Sequence, residues 1–588
     1  MIAFRNFRLR LHAAQDGMAM IMVIGVGSVM TILIVAALAM SFGTQNKAKT
    51  DTEWNGALAA AFAGIEEYQS HLSEEPGYVQ YGNPASLFSH PTQTGTATVT
   101  LPTGSLTNPA FGVGPTGTWA QAEDMDGNPT FKYRYEVDNS KYSSTGNIRL
   151  RSTGLVGGET RSVVADLRQT GFIDYLYFTD LEMTDPAIAN GGCTLVHTWE
   201  GRGGCTIQFG TSDILEGAVH SNDTLYICAS RFKQTVTTGK PGGGYVRPSG
   251  CALPTFDKGA PVFSPSVPMP ATNTELLKET RSDLTGTTVP RPGCLYTGPT
   301  QITFLAGGKM NVKSPWTQFT NTTGSPTSGG NNINSAQCGL PSALQSAAGA
   351  TVNVLKNNVV FVQNIPLTGI NSATATQTTT TGSNTRCKNL AGASLTTSAG
   401  YSQNVVGYPL ATEKPPVVGT DATASYGCRN GDLFISGTNS GGAITLAAQN
   451  YIYVTGDLRY NNTDSDMIGL VGNNAIWVHN PITVSDAFIN GNNRRIDAAL
   501  LSVAHTFTVQ NYTVGSSRGT LTVYGSIAQK FRGPVGTTSP TGYTKNYLYD
   551  PRFRYTAPPK FLSPVTTTYG INVWVEISPV YNVDGTYK

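Results

Sequence analysis

From Met18 to Phe42 the chain reads MAMIMVIGVGSVMTILIVAALAMSF, 25 residues without a charge. Nothing else in the sequence restricts the fold as much. A helix needs about 20 apolar residues to cross a bilayer core, so this run is long enough for a single span. Arg5, Arg8 and Arg10 precede it, and no acid occurs before Asp16. Positive charge beside a first span holds that end in the cytoplasm, which puts the bulk after Phe42 on the outer side. A secretory signal peptide has an apolar core of only roughly 7 to 15 residues, and this run exceeds it. A plain membrane anchor remains open.

The helix is expected to continue past the membrane. No proline lies between Thr44 and Leu72. Trp54, Leu58, Phe62, Ile65, Tyr68 and Leu72 recur at three- and four-residue steps, which puts them on one helical face. Glu74-Glu75-Pro76-Gly77 ends the pattern. Beyond it, Phe131–Val137, Ile148–Arg151 and Thr160–Arg168 alternate apolar and polar as half-buried strands do. Ser152–Gly158 reads as a turn-rich link. Asp124-Met125-Asp126-Gly127-Asn128 has two features of a calcium loop but lacks the later ligands of an EF-hand, and reads as a tight turn.

Gly17 stands between a short basic leader and an apolar helix that starts at Met18. This arrangement resembles the class III leader of type IV pilins and their PilX-like minor relatives. The resemblance implies cleavage by a prepilin peptidase after Gly17, with Met18 as the mature N-terminus. It implies a leader at 1–17, a transmembrane and amphipathic pilin helix at 18–74 and a pilin-like β-sheet head at 75–170. It also implies that the helix packs with other pilin subunits. Major pilins carry glutamate at the fifth mature position, where this chain has Met22, which points to a minor subunit.

At 588 residues the chain must form more than one domain. The formal net charge of +2 makes no electrostatic case for nucleic acid. Charged residues are 13 %, against about 25 % in soluble globular chains, and 65 glycines accompany many Thr, Ser and Asn, a balance suited to exported β structure. The eight cysteines are Cys193, Cys205, Cys228, Cys251, Cys294, Cys338, Cys387 and Cys428. An even number in an exported segment reads as disulfides. No C-x-x-C occurs, which argues against zinc or redox chemistry. Pairing of sequence neighbours is expected (193 with 205, 228 with 251, 294 with 338, 387 with 428), although eight cysteines allow 105 connectivities. No cofactor or metal is expected.

Residues 171–430 read as a disulfide-containing β region with long Thr/Ser/Gly/Asn loops. Residues 431–588 read as a β-solenoid core and C-terminal cap, in which Leu548–Arg554 and Ala557–Lys560 form an irregular segment that caps or flanks the last coil, with a last strand at Ile571–Ile577. In this part short apolar strands come in pairs: Ile444–Ala448 with Tyr451–Val454, Met467–Val471 with Ala475–Val478, Ile496–Val503 with Thr506–Val509, and Thr520–Tyr524 with Ser526–Gln529. First strands recur after 23, 29 and 24 residues, as in a parallel β-helix. The stretch from Phe172 onward also resembles the C-terminal region of large pilin-like proteins. The fold class is therefore α+β: a long N-terminal helix on a small antiparallel pilin-like sheet, then a large all-β domain, a parallel β-helix or solenoid.

Two patches could carry chemistry. Asp213, Glu216, His220 and Asp223 lie close in sequence and contain metal or acid–base residue types, but they also suit solenoid corners. Asp432, Asp457, Asp464, Asp466, Asp486 and Asp497 are the acids of the best repeat, and no spacing among them matches a paired-carboxylate or Ser-His-Asp arrangement. The expectation is a non-enzymatic minor pilin-like subunit at the tip of a type IV pilus or related filament. It would be a single-pass membrane protein before assembly, serving pilus assembly and adhesion to a glycan, host or abiotic surface. A secretion-system pseudopilin, or a membrane-anchored β-helix that binds or degrades polysaccharide, is the alternative.

Overall fold

A computed structural model describes the chain except residues 1–14, 91–96, 123–130, 143–146, 170, 190–191, 212, 282–291, 323–330, 333–334, 368–386, 389–393, 396–405, 415, 417, 420–421, 424, 428, 555 and 565–568. The expected turn at Asp124–Asn128 lies outside the described residues. Two compact units form, and each draws on separated parts of the chain. The first holds Met1–Asp138, Arg149–Asp166 and Val573–Lys588, and the second holds Asn139–Ile148 and Leu167–Asn572.

In the first unit one helix, α1 (Gln15–Glu74), runs for 60 residues and ends before Pro76 as expected. Its apolar half is bare: Met20, Val23, Leu33 and Phe42 are all exposed. Its second half packs through Ala57, Ala60, Ala61, Ile65, Tyr68 and Leu72, all buried. The expected face holds in its last three members, Ile65, Tyr68 and Leu72, and is displaced in its first three. Trp54 is 42 % exposed, Leu58 and Phe62 are half-buried, and small residues occupy the seam. The partner is a five-stranded sheet in the order β1 (Ala120–Ala122), β2 (Phe131–Asp138), β3 (Asn147–Val156), β4 (Glu159–Gln169) and a C-terminal strand, Tyr569–Ile577. β1–β2 and β2–β3 are antiparallel.

Ser152–Gly158 is not a link, because β3 continues to Val156 and only Gly157-Gly158 turn. Gly154 explains the misreading. A Cβ there would collide with the carbonyl oxygen of Ala57 and lie 2.5 Å from Ala61 N. The glycine permits close approach of α1 rather than a turn.

In the second unit one network joins twenty strands with mixed pairing. Lys309–Lys313 pairs antiparallel with Thr300–Leu305 on one side and with Ala350–Asn353 on the other. Three ladders are parallel. The first stacks Cys294–Thr297, Asn358–Gln363, Ala443–Ala448, Met467–Gly472, 499–502, 526–529, Tyr177–Leu181, Val219–Ser221, Val236–Thr238 and Val262–Phe263, in that order. The second stacks 437–439, 458–460, 494–498, 517–525, Gly542–Tyr549, Ile214–Leu215, Arg231–Phe232 and Thr255–Phe256. The third stacks 300–302, 433–435, 452–454, Ile476–Val478 and 507–509. Alternate residues of all three, such as Leu446, Ile468, Leu500, Ile527, Val523 and Ile476, meet in one buried core. Besides the strand pairs legible in the sequence, short segments such as 437–439 and 458–460 supply further parallel strands. Strand pairs also merge without a break, into Arg494–Val509 and Ser517–Phe531.

The stacking order is not the chain order. Tyr177–Leu181, the first strand in sequence, lies against 526–531 in the interior of the stack. The chain then proceeds to Val262–Phe263 at one end and re-enters at Cys294–Thr297 at the other. Of the two expected roles of the C-terminal segment, flanking is the one observed: Phe553 and Phe561 pack beside Met467 and Ala499. Gly542–Tyr549 is a ladder strand that is itself covered by Ile214–Leu215, so no stack end exists there to be capped. The last strand, Tyr569–Ile577, joins the small sheet instead.

The return connection lies on the outer face of the first ladder. Val267 N donates to Asn222 Oδ1 at 2.7 Å. Asn273 Nδ2 donates to the carbonyls of Ala448 (2.7 Å) and Val471 (3.1 Å), and Leu276 is buried in the same cluster as Phe178, Leu501 and Ala528. On the third ladder's outer face Phe434, Tyr453 and Trp477 are covered by Val406, Tyr408 and Tyr426. Tyr408 and Tyr453 both stack on Phe434, at 4.6 and 4.9 Å between ring centroids. Where the first and third ladders adjoin, Asn450 Nδ2 donates to Asp432 and Asn474 Nδ2 donates to Asn450, linking successive turns of the chain. Three of the expected disulfides form, Cys193–Cys205, Cys228–Cys251 and Cys294–Cys338. The pairing of Cys387 with Cys428 falls outside the described residues.

Candidate functional site

Two of the three ladder faces are thus covered by the chain's own apolar segments. The second ladder's outer face is polar. Its register places Arg495 beside Thr522 and Thr522 beside Asn546, with Asn546 bonded to Thr522 Oγ1 at 3.3 Å. Two strands further on, exposed Arg231 pairs with Asp257 at 3.0 Å, and Lys233 pairs with Glu216.

On this face opens a groove of about 490 Å³ lined by Asp457, Arg459, Arg494, Arg495, Thr520 and Thr522, with 491–493 as one wall. Local geometry follows from pairing of Leu458 with Ile496. Both point inward and are fully buried, so their neighbours Asp457, Arg459, Arg495 and Asp497 project outward, as alternation in a strand requires. Asn493, at φ 60°, turns the chain into the strand.

Asp457 accepts from Arg495 N (3.0 Å) and Arg459 Nη2 (2.7 Å). Burial pushes its carboxyl up, but these hydrogen bonds and the charges of Arg459 and Arg494 outweigh that and hold it below the usual range. Asp497 accepts from Arg495 Nε at 2.8 Å and Tyr460 N at 3.2 Å, and burial still holds it above the usual range. Arg494 differs from its neighbours. Its side chain is only 9 % exposed, its Nη1 lies 4.0 Å from Asp457 Oδ1, and its Nε makes no hydrogen bond among the described residues. The groove therefore presents guanidinium forks, hydroxyls and carboxylate acceptors, the means of holding a polar, partly anionic ligand. Surface ion pairs are worth only about 0–1 kcal/mol, so Arg459 can exchange Asp457 for a ligand.

Of the acids in the repeat, only Asp457 lines the groove, with Asp497 beside it. Asp432 is buried where the first and third ladders adjoin, and burial raises it to about 7. Asp466 accepts from Gly442 N and Asn462 N, and Asp486 pairs with Lys414. The other patch is dispersed. Asp213 binds Lys545 at 2.6 Å, Glu216 binds Lys233 and Asp223 binds Arg202. His220 bonds Thr237 and Asn222, stacks on Phe178 and is driven down to about 4 by burial, so it is held neutral as a packing residue. Gly17 and Met18 fall within the span of α1. The arginines escaped the sequence reading, although Asn492-Asn493-Arg494-Arg495, a basic pair opening a strand after a turn, was a usable signal.

No family model and no curated protein matches the chain. Among solved structures, the competence-associated pilin ComZ from Thermus thermophilus is similar at 13 % identity over 90 % of this chain and 97 % of that one, with a TM-score of 0.22, a value too low to assign a shared fold.

Proposed function

We propose that the chain is a non-enzymatic minor subunit of a type IV pilus or related filament. The observation that carries this reading is the division of α1. Its second half packs on the small sheet, while its apolar half is bare from Met20 to Phe42. So much exposed apolar surface requires a bilayer or the helices of neighbouring subunits, and transfer between the two is what a filament subunit does. Gly17 and Met18, behind a basic leader, are the processing site in this reading.

The three parallel ladders we read as the sides of a β-solenoid. A unit of more than 400 residues is too bulky to repeat along a tightly packed shaft, which favours a terminal position, with the open polar face available for adhesion.

Mass spectrometry of the mature protein tests the first step. Met18 at the N-terminus is expected, and an intact Met1 end would remove the prepilin reading. Deletion of the gene is expected to reduce piliation or attachment. Unchanged piliation and attachment, together with depolymerisation of polysaccharide by the purified chain, would replace the subunit by an enzyme.

A further inference from the structure

We propose that the groove on the second ladder binds a linear polysaccharide that carries carboxylate groups, such as a polyuronate. This names the ligand class of the adhesive face and rests on reading the large unit as the surface-facing part. Three guanidinium groups meet two carboxylates in and beside the groove, leaving an excess of one positive charge. Arg494 lines the groove with its Nη1 4.0 Å from Asp457 Oδ1, and the charge it adds favours a ligand carboxylate.

The other lining groups suit sugar hydroxyls: Thr520 and Thr522 donate and accept, and Asp457 accepts. The same carboxylates oppose a polyphosphate, whose charges are closely spaced. None of the groove-lining residues is aromatic, so the stacking that holds single-stranded nucleic acid has no platform. A polymer is favoured over a single sugar by the register. Arg495 pairs with Thr522 and Thr522 with Asn546, the next strand is joined through Tyr547 and Leu215, and Ile214 pairs with Arg231. At about 4.8 Å per strand, Arg231 stands about 19 Å from Arg495, which gives an extended chain a second cationic contact.

The test uses the full chain in detergent micelles, titrated calorimetrically with oligogalacturonate, with neutral dextran oligomers and with a single-stranded oligonucleotide. Oligogalacturonate is expected to bind and to weaken with added salt, and the other two are expected not to. The double variant Arg459→Gln/Arg495→Gln alters exposed side chains and should bind at least tenfold more weakly with an unchanged unfolding midpoint. Arg494→Gln should also weaken binding. Failure of oligogalacturonate to bind, equal binding of dextran, tighter binding of the oligonucleotide, or undiminished binding by the double variant would each overturn the proposal. None of these results bears on whether Met18 is the mature N-terminus or whether the filament assembles, so the two readings fail separately.

Discussion

Replacing Gly154 by alanine adds one methyl group at the closest approach of α1 to the small sheet. The new Cβ would collide with Ala57 O, lie 2.5 Å from Ala61 N and 2.8 Å from Ala60 Cβ. Two of the three obstacles are backbone, so no rotamer change relieves them. The helix must move away by roughly 1 Å, and a gap of that size forfeits a quarter to a half of each dispersion contact along the seam. Ala57, Ala60, Ala61, Ile65 and Tyr68 are at most 1 % exposed, so all of them lose. Overpacking of this kind costs about 1–3 kcal/mol, and we expect the upper end, ~3 kcal/mol. Gly158→Ala is the control, because a Cβ there meets nothing within 4 Å. Denaturant titration of the full chain in micelles, followed by hydrogen exchange of the amides at 57–72, measures both variants. A Gly154→Ala variant within 0.5 kcal/mol of the parent, with unchanged exchange in that segment, would refute the close packing described here.

Asp432 supplies a pH dependence. Because burial raises its folded pKa to about 7 from an unfolded value near 4, the folded state keeps a proton that the unfolded state releases, and stability falls as pH rises between those values. The shift of about three units corresponds to at most ~4 kcal/mol, and Asp432→Asn, which keeps the oxygen that accepts from Asn450 and Tyr451, should flatten that slope in melts from pH 4 to 8. Replacing Cys294 and Cys338 by serine opens a loop of 44 residues and should lower stability by ~4 kcal/mol on the chain-entropy account, read from the denaturation midpoint without reductant. Ending the chain before Tyr569 removes the fifth strand of the small sheet and the Arg161–Glu576 ion pair. The truncated protein should be cleaved by protease within 57–72 far faster than the parent.

Periodicity of 3.6 and 2 located α1, β2 and β4, and the spacing of apolar pairs located the first ladder from Ile444 to Gln529. Those signals are strong because each is repeated within a short window. The helix face was misjudged in its first three members because large apolar residues draw attention, whereas the seam there is built from Ala57, Ala60 and Ala61, whose value lies in letting backbones approach. Segments such as 458–460 were not individually legible as strands because they offer only one or two inward residues. The candidate site escaped for a different reason. Its groups come from 457–459, 491–495 and 520–522, and only register between strands brings them together. The docking of Tyr177–Leu181 on residues 526–531 had no local sign at all, since both segments read as ordinary strands.

That interleaved order has a consequence for how the protein is made. The first strand in the large network pairs early with Val219–Ser221 but finds its other neighbour, 527–531, only after some 350 further residues have been synthesised, and the small sheet waits for its last strand until position 569. Neither unit can therefore be completed until most of the chain has been made. A polypeptide cut short before Tyr569 lacks the fifth strand of the small sheet, so truncated products are marked as incomplete at the unit that carries the long apolar helix.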